Sequence, residues 1–95
     1  MEFRWDSRKD RRNQRKHRVS FREAATVFED PLSTTFSDLD HSVDDERFLT
    51  IGMSTIGRIL VIAHTEYEEE IRIISARAAT PSEREFYEGG ASEGR

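Results

Sequence analysis

The sequence predicts an α+β fold in which helices pack on one face of an antiparallel sheet. Residues 47–77 contain three runs rich in Ile, Val, Leu and Thr, and short turns between them favour an antiparallel meander. Residues 20–31 combine a helix-capping motif, an apolar helical stripe and a terminal Asp-Pro. The expected order is a short strand, two helices, four antiparallel strands and a closing helix.

The first elements are polar. Phe3 and Trp5 alternate with polar residues, which predicts a short strand that leans on the core. Asp6 is the predicted N-cap of a helix that ends near His17. Because this helix is polar on every side, we expect only Arg and Lys methylene groups to cover the surface beneath it.

A second helix follows directly. Ser20 and Glu23 form a Ser-x-x-Glu capping box, and Pro31 ends the helix because it disfavours helical geometry in the residue before it. One helical face carries the apolar residues Phe21, Ala24, Ala25 and Phe28. This face is expected to pack on the sheet.

Four strand signals come next, at residues 32–37, 47–55, 58–67 and 70–77. The loop between the first two is acidic and contains Asp38, Asp40, Asp44, Asp45 and Glu46. We interpret it as a solvated loop, because Val43 stands where an EF-hand loop needs glycine.

The closing helix has its own signals. Thr80 is the predicted N-cap, Pro81 the first helical residue, and Glu83 completes a second capping box. We expect the helix to run through Tyr87. Residues 1–88 then form one domain, and residues 89–95 have the composition of a disordered tail.

The charge distribution is strongly asymmetric. Residues 1–20 carry eight Lys or Arg and three Asp or Glu, a net of +5, whereas residues 21–95 carry seven and sixteen, a net of −9, which together give the overall −4. Such asymmetry indicates a polyanionic partner for the N-terminal end. The chain contains no cysteine, and its longest apolar run is far shorter than the ~20 residues of a membrane span, so we expect a soluble, cytoplasmic protein.

Several chemistries lose their usual motifs. The sequence has no phosphate-binding Gly-rich loop, no dinucleotide fingerprint and no serine nucleophile elbow, and its three scattered histidines without cysteine do not suggest zinc. What remains is a set of strand arginines, Arg47, Arg72 and Arg77. The residues alone leave two interpretations open, because strand arginines either keep an edge soluble or hold a phosphodiester by bidentate contacts.

A succession of motifs resembles the BrnT family of bacterial type II toxins over residues 2–88. The resemblance is carried by the following motifs, in order: Lys16-His17, Val19-Ser20-Phe21, Glu46-Arg47, Ile51-Gly52, His64-Thr65 and Ser75-Ala76-Arg77. It implies a RelE-like fold and a ribonuclease that cleaves RNA without a metal or cofactor and arrests translation. It also implies a cognate BrnA-type antitoxin, through which DNA is contacted only indirectly.

The resemblance directs attention to two groups of site residues. The catalytic candidates are Arg77, His64, Arg72, Arg47, Glu46 and Tyr87. The RNA-binding candidates lie on the first helix and are Arg8, Arg11, Arg12, Arg15, Lys16 and His17. Arg77 is the predicted phosphate ligand. His64 is the first choice for proton transfer because histidine titrates near neutral pH, although a packed core histidine is an equal alternative.

Two positions depart from the family pattern. Arg18 follows His17 where the family usually has glycine in a left-handed helix end, and Gln14 stands where an apolar contact is common. Both affect how the first helix docks. The alternative function is a non-catalytic RNA-binding or protein-interaction module, which includes a degenerated toxin.

Overall fold

The predicted order of elements is confirmed by the computed structural model, which describes residues 1–38, 40 and 46–92. The elements are β1 Glu2–Arg4, α1 Ser7–His17, α2 Phe21–Thr26 with a 3-10 turn Val27–Glu29, β2 Thr34–Ser37, β3 Arg47–Met53, β4 Ile59–Tyr67, β5 Glu70–Ala78 and α3 Pro81–Ser92.

The sheet has five strands in the order β1-β5-β4-β3-β2. Strands β2 to β5 form the predicted antiparallel meander. Strand β1 adds a short parallel edge, with Phe3 opposite Ile71. This edge covers only the first part of β5, and α1 lies against the remainder.

The two faces of the sheet carry different residues. On one, here called the helix face, Leu60 and Ile62 of β4 join the main core with Phe21 and Val27, from α2 and the turn after it. On the other, here called the open face, Val61 packs in a smaller cluster with residues of β3 and α3. Burial of each large apolar side chain in these clusters stabilises the fold by roughly 1.5–3 kcal/mol.

Helix α3 lies on the open face, so the expectation that all helices share one face is wrong. Tyr87 of α3 packs with Ile51 and Val61, and the ring of Phe86 contacts that of Phe36 edge-on. The alternation of strand residues explains this, because Ile51 and Val61 point away from the α2 side and need a cover of their own. The helix also extends to Ser92, past the predicted end at Tyr87, since no proline stops it at the glycines.

The capping predictions are confirmed in α1, where Asp6 accepts the N–H of Arg8 and of Lys9, and in α3, and they are half confirmed in α2. In α3, Thr80 and Glu83 each accept the other's backbone N–H. In α2, Ser20 accepts the N–H of Glu23, but the Glu23 carboxylate turns away to the Nε of Arg58 at 3.0 Å and to the hydroxyl of Ser54. A guanidinium is a stronger partner than a backbone amide, which accounts for the departure.

Part of the acidic loop, with His41, Asp44 and Asp45, lies outside the described residues. Among residues 1–38, 40 and 46–92, no group of His, Cys, Asp or Glu side chains is arranged to hold a metal ion. None of the helices in that same part of the chain has the length and apolar composition of a membrane span.

Candidate active site

Helix α1 and strand β5 enclose a cleft of about 210 Å³ on the surface of the protein. It is here called the α1 cleft, and its lining consists of Lys9, Arg12, Asn13, Lys16, His17, Ile74 and Ser75. The cations Lys9, Arg12 and Lys16 follow a spacing of three and four residues, so they share one side of the helix. The cleft therefore presents three positive charges and one imidazole to solvent.

Asn13 fixes the floor of the α1 cleft. It is the buried residue of α1, and its amide Nδ2 donates to the carbonyls of Val19 and Ala76, both at 2.8 Å. Its Oδ1 accepts the N–H of Ala76 at 3.2 Å. Asp10 adds a second anchor, since its carboxylate accepts the N–H of Phe21. Polar side chains therefore dock α1, in contrast to the predicted cover of methylene groups.

The predicted RNA-binding residues of α1 divide into two sets. Arg12, Lys16 and His17 line the α1 cleft. Each of the other three arginines comes one residue before a cation of the cleft, and all three are exposed. These residues, Arg8, Arg11 and Arg15, are here called the outer stripe. None of the three has a carboxylate partner in the described part of the chain. The outer stripe is available to a negatively charged surface.

A second group of cations crosses the open face of the sheet. The register places Arg47 opposite Thr65, Thr65 opposite Arg72, and Arg72 opposite Arg4. The three arginines are here called the arginine row. Adjacent strands lie ~4.8 Å apart, so Arg47 and Arg72 flank Thr65 at a Cα separation of about 10 Å. Arg72 is exposed, whereas Arg4 donates to Glu70 at 2.9 Å.

The predicted phosphate ligand Arg77 does not belong to this row. It lies five residues farther along β5, roughly 15 Å from Arg72. Its guanidinium makes two parallel hydrogen bonds to Glu83 of α3, at 2.7 and 2.9 Å. These bonds lower the pKa of Glu83 to about 2 and raise the pKa of Arg77. The pair clamps α3 to the end of β5 and leaves Arg77 neutralised.

His64, the first choice for proton transfer in the sequence analysis, lies in the core. The residue is 0% exposed, its Nε2 lies 2.7 Å from the hydroxyl of Thr50, and its ring stacks on that of Phe48. Burial lowers its pKa to about 4. A substrate bound at the surface cannot contact this ring. The alternative of a packed core histidine describes it. Along β4, His64 falls on the same face of the sheet as Leu60 and Ile62.

The other two catalytic candidates are also apart from one another. The Tyr87 hydroxyl donates to the carboxylate of Asp30, and burial raises the pKa of Tyr87 to about 12, so this phenol is held as a donor in a packed site. Glu46 is exposed at the start of β3, next to Arg47 of the arginine row. The carboxylate of Glu46 accepts a hydrogen bond from the Ser37 hydroxyl at 3.5 Å, whereas Tyr87 and Arg77 lie at the α3 end of the sheet.

Sequence reasoning missed four residues of the α1 cleft, namely Lys9, Asn13, Ile74 and Ser75. A usable signal exists for Asn13, because an amide within an otherwise charged helix is the residue best suited to bond a backbone edge. Lys9 is recoverable from its spacing to Arg12 and Lys16. Ser75 is not recoverable, because its position depends on a β-bulge at Ile74 that shifts the register of β5.

The comparison with protein families identifies the chain. The family model described as "Ribonuclease toxin, BrnT, of type II toxin-antitoxin system" matches residues 5–83. The crystal structure of the Brucella abortus ribonuclease toxin BrnT has the same fold, with a TM-score of 0.64 at 23% sequence identity over 84% of this chain and 97% of that one. The comparison with curated protein sequences finds no match. Because the family model spans most of its length, the chain belongs to the BrnT family of ribonuclease toxins of type II toxin-antitoxin systems.

Proposed function

We propose that this chain cleaves single-stranded RNA without a metal ion, arrests translation and is neutralised by a BrnA-type antitoxin. The observation that carries the proposal is the concentration of accessible positive charge in a protein of net charge −4. The arginine row and the α1 cleft both adjoin β5, and Ser75 of the cleft lies three residues from Arg72. An RNA strand can follow this path of about 10 Å.

Metal-free cleavage of RNA makes three chemical demands. The 2′-hydroxyl loses a proton, the phosphorane's extra negative charge is stabilised, and the leaving 5′-oxygen gains a proton. Guanidinium groups meet the second demand because their paired N–H groups match phosphate oxygens. Arg47 and Arg72, which flank Thr65 on the open face, suit a phosphodiester of the bound strand next to the one that is cleaved.

Cleavage of a fluorescent RNA by purified protein tests the proposal. We expect cleavage to persist in excess EDTA and to leave a 2′,3′-cyclic phosphate and a 5′-hydroxyl. Products with 5′-phosphates that disappear in EDTA would contradict metal independence. Binding of the RNA without any cleavage, with or without divalent cations, would favour the binding-module alternative.

The arginine row has matched controls elsewhere on the surface. Arg47→Ala with Arg72→Ala removes two charges from the open face, and Arg22→Ala with Arg84→Ala removes two from exposed positions on α2 and α3. We expect the first pair to weaken RNA binding and to reduce the salt slope by about 0.7 per lost contact. The second pair should leave both quantities close to those of the unmodified protein.

Translation arrest and its relief are tested in cells. Induction of the toxin should stop amino-acid incorporation within minutes, and co-expression of a BrnA-type antitoxin should restore it. We propose that the antitoxin covers the outer stripe and the adjoining sheet surface, because Arg8, Arg11 and Arg15 offer a cationic surface to an acidic partner. Hydrogen exchange of the complex should show protection in α1. Protection confined to α3 would contradict this docking.

A further inference from the structure

We infer that the α1 cleft holds the scissile phosphodiester and that His17 is the group that accepts the proton of the 2′-hydroxyl. This inference rests on the proposed ribonuclease function and assigns its reaction centre. Lys9, Arg12 and Lys16 bind the phosphate oxygens in this arrangement. The arginine row holds the neighbouring part of the RNA strand.

The two described histidines differ in whether a substrate can contact them. Of the two histidines in the described part of the chain, His64 is sealed in the core and His17 opens into the α1 cleft. Imidazole is the side chain that exchanges protons near neutral pH. A group that takes a proton from a substrate must lie within hydrogen-bond reach of it. Only His17 of these two meets that condition.

The charged residues around His17 favour an anionic ligand. The charged residues that line the cleft with His17 are Lys9, Arg12 and Lys16, and β5 contributes only Ile74 and Ser75. Among the residues that the structure describes, no carboxylate lines the cleft. The cations are therefore not neutralised from within the cleft, in contrast to Arg77, whose guanidinium is paired with Glu83. An anionic phosphate is the ligand that such a lining favours.

The α1 cleft is held in a fixed arrangement by hydrogen bonds of Asn13. Charge stabilisation in a transition state is most effective when the donors are held in place beforehand. Asn13, at the centre of the lining, bonds the backbone of Ala76 in β5 and of Val19 beyond the end of α1, which fixes α1 against β5 one turn before His17. The cations around Asn13 therefore stand on a helix that cannot slide along the strand.

The proposed reaction balances without any added cofactor. His17 takes the proton of the 2′-hydroxyl, and the 2′-oxygen forms a bond to phosphorus. The bond between phosphorus and the 5′-oxygen breaks, the 5′-oxygen takes a proton from water, and the imidazolium returns its proton to the solvent. The cations of the cleft stabilise the added negative charge of the phosphorane.

Steady-state cleavage by His17→Gln tests the assignment. We expect kcat to fall by roughly a hundredfold or more, as for loss of a positioned base. The acidic limb of the kcat/KM profile, present in the unmodified protein, should disappear. A kcat within about threefold of the unmodified value would overturn the role of His17, because such a change is far below that of a lost base. If the unmodified protein cleaves no RNA at all, the proposed function fails instead.

Two triple variants with equal loss of charge test the phosphate ligands. Lys9→Ala, Arg12→Ala and Lys16→Ala together should lower kcat, because they remove the groups that stabilise the phosphorane. Arg8→Ala, Arg11→Ala and Arg15→Ala, which empty the outer stripe, should raise KM and keep kcat. The reverse pattern would place the reaction centre outside the cleft.

A measurement on the unmodified protein covers the case in which a variant does not fold. An RNA oligomer with a 2′-deoxy group at the scissile position binds without being cleaved. Its titration should shift the imidazole resonances of His17 and leave those of the buried His64 in place. Binding of the oligomer without any shift at His17 would overturn the inference.

Discussion

The side-chain amide of Asn13 bonds both backbone polar groups of Ala76, at 2.8 and 3.2 Å, as a neighbouring β-strand would. Strand β1 covers β5 only from Glu70 to Arg72, so the edge beyond needs other partners. Asn13 supplies them from a helix. This contact makes the margin of the sheet and the basic helix one rigid unit.

Replacement of Asn13 by alanine should lower the free energy of unfolding by about 2–4 kcal/mol, because it leaves buried backbone groups of Ala76 without partners. Urea denaturation measures this directly. Gln14→Ala, an exposed change in the same helix, is the control and should cost less than about 0.5 kcal/mol. An equal loss in both variants would contradict the role of the Ala76 contact, because alanine favours a helix more than either residue it replaces.

Local patterns explain why much of the fold is predictable. The capping residues and apolar spacing of α2 act within one or two turns, and the alternation in β3 to β5 acts within a strand, so both can be read from the sequence. The docking of α1 is different. Asn13 and Ala76 are separated by 63 residues, and no local pattern links an amide to a particular strand edge.

The site is less predictable than the fold for the same physical reason. The sequence identifies cations, but their accessibility depends on partners that lie far away in the chain. Arg77 and Arg72 look alike in the sequence, yet Glu83 neutralises Arg77 while Arg72 is exposed. Glu23 likewise leaves its capping role for Arg58, 35 residues away.

Gly52 is required by close packing in β3. A Cβ at this position would lie 2.8 Å from the Cβ of Ser33 and 2.9 Å from Cγ1 of Val27. We expect Gly52→Ala to lower the free energy of unfolding by about 1–3 kcal/mol, as overpacking does. Gly89→Ala is the control, since a Cβ there meets nothing within 4 Å. Thermal denaturation that ranks the two variants equally would contradict this reading of Gly52.

Arg18 ends α1 in the left-handed region, with φ 60° and ψ 32°. A side chain in this conformation costs about 1–2 kcal/mol that glycine avoids. Arg18→Gly should therefore raise the free energy of unfolding by about 1 kcal/mol, partly offset by the greater freedom of glycine in the unfolded chain. Arg22→Gly, within α2, is the matched control and should destabilise by a similar amount. Chemical denaturation should show a higher free energy of unfolding for Arg18→Gly and a lower one for Arg22→Gly.

The burial of His64 predicts a pH dependence of stability. Its pKa falls from 6.5 to about 4, so the unfolded state binds the proton more tightly. The contribution of neutral His64 is complete above pH 6.5 and is lost as the pH falls toward 4. It amounts to roughly 3 kcal/mol, reduced by the Glu66 carboxylate, which lies 3.4 Å from Nδ1 of His64. Urea denaturation from pH 7 to 4 should show a steeper decline for the unmodified protein than for His64→Gln. Parallel declines would contradict the prediction.

The ion pair of Arg77 and Glu83 predicts a second pH dependence, at lower pH. The pKa of Glu83 is depressed from 4.5 to about 2, so the stability that the ionised carboxylate contributes is complete above pH 4.5 and is lost as the pH falls toward 2. Glu83→Gln should flatten the thermal unfolding profile in this window. Glu85→Gln, an exposed neighbour on α3, should leave the profile unchanged.

A variant of Arg77 distinguishes a residue that holds α3 in place from one that binds the phosphate. If Arg77 holds α3 through Glu83, Arg77→Ala should lower the unfolding midpoint and reduce the kcat of the folded fraction by less than about tenfold. Removal of a donor that stabilises the transition state costs roughly a hundredfold or more. RNA cleavage measured well below the unfolding midpoint distinguishes the two roles. A loss of that larger size in folded Arg77→Ala, with activity retained in His17→Gln, would move the reaction centre from the α1 cleft to the α3 end of the sheet.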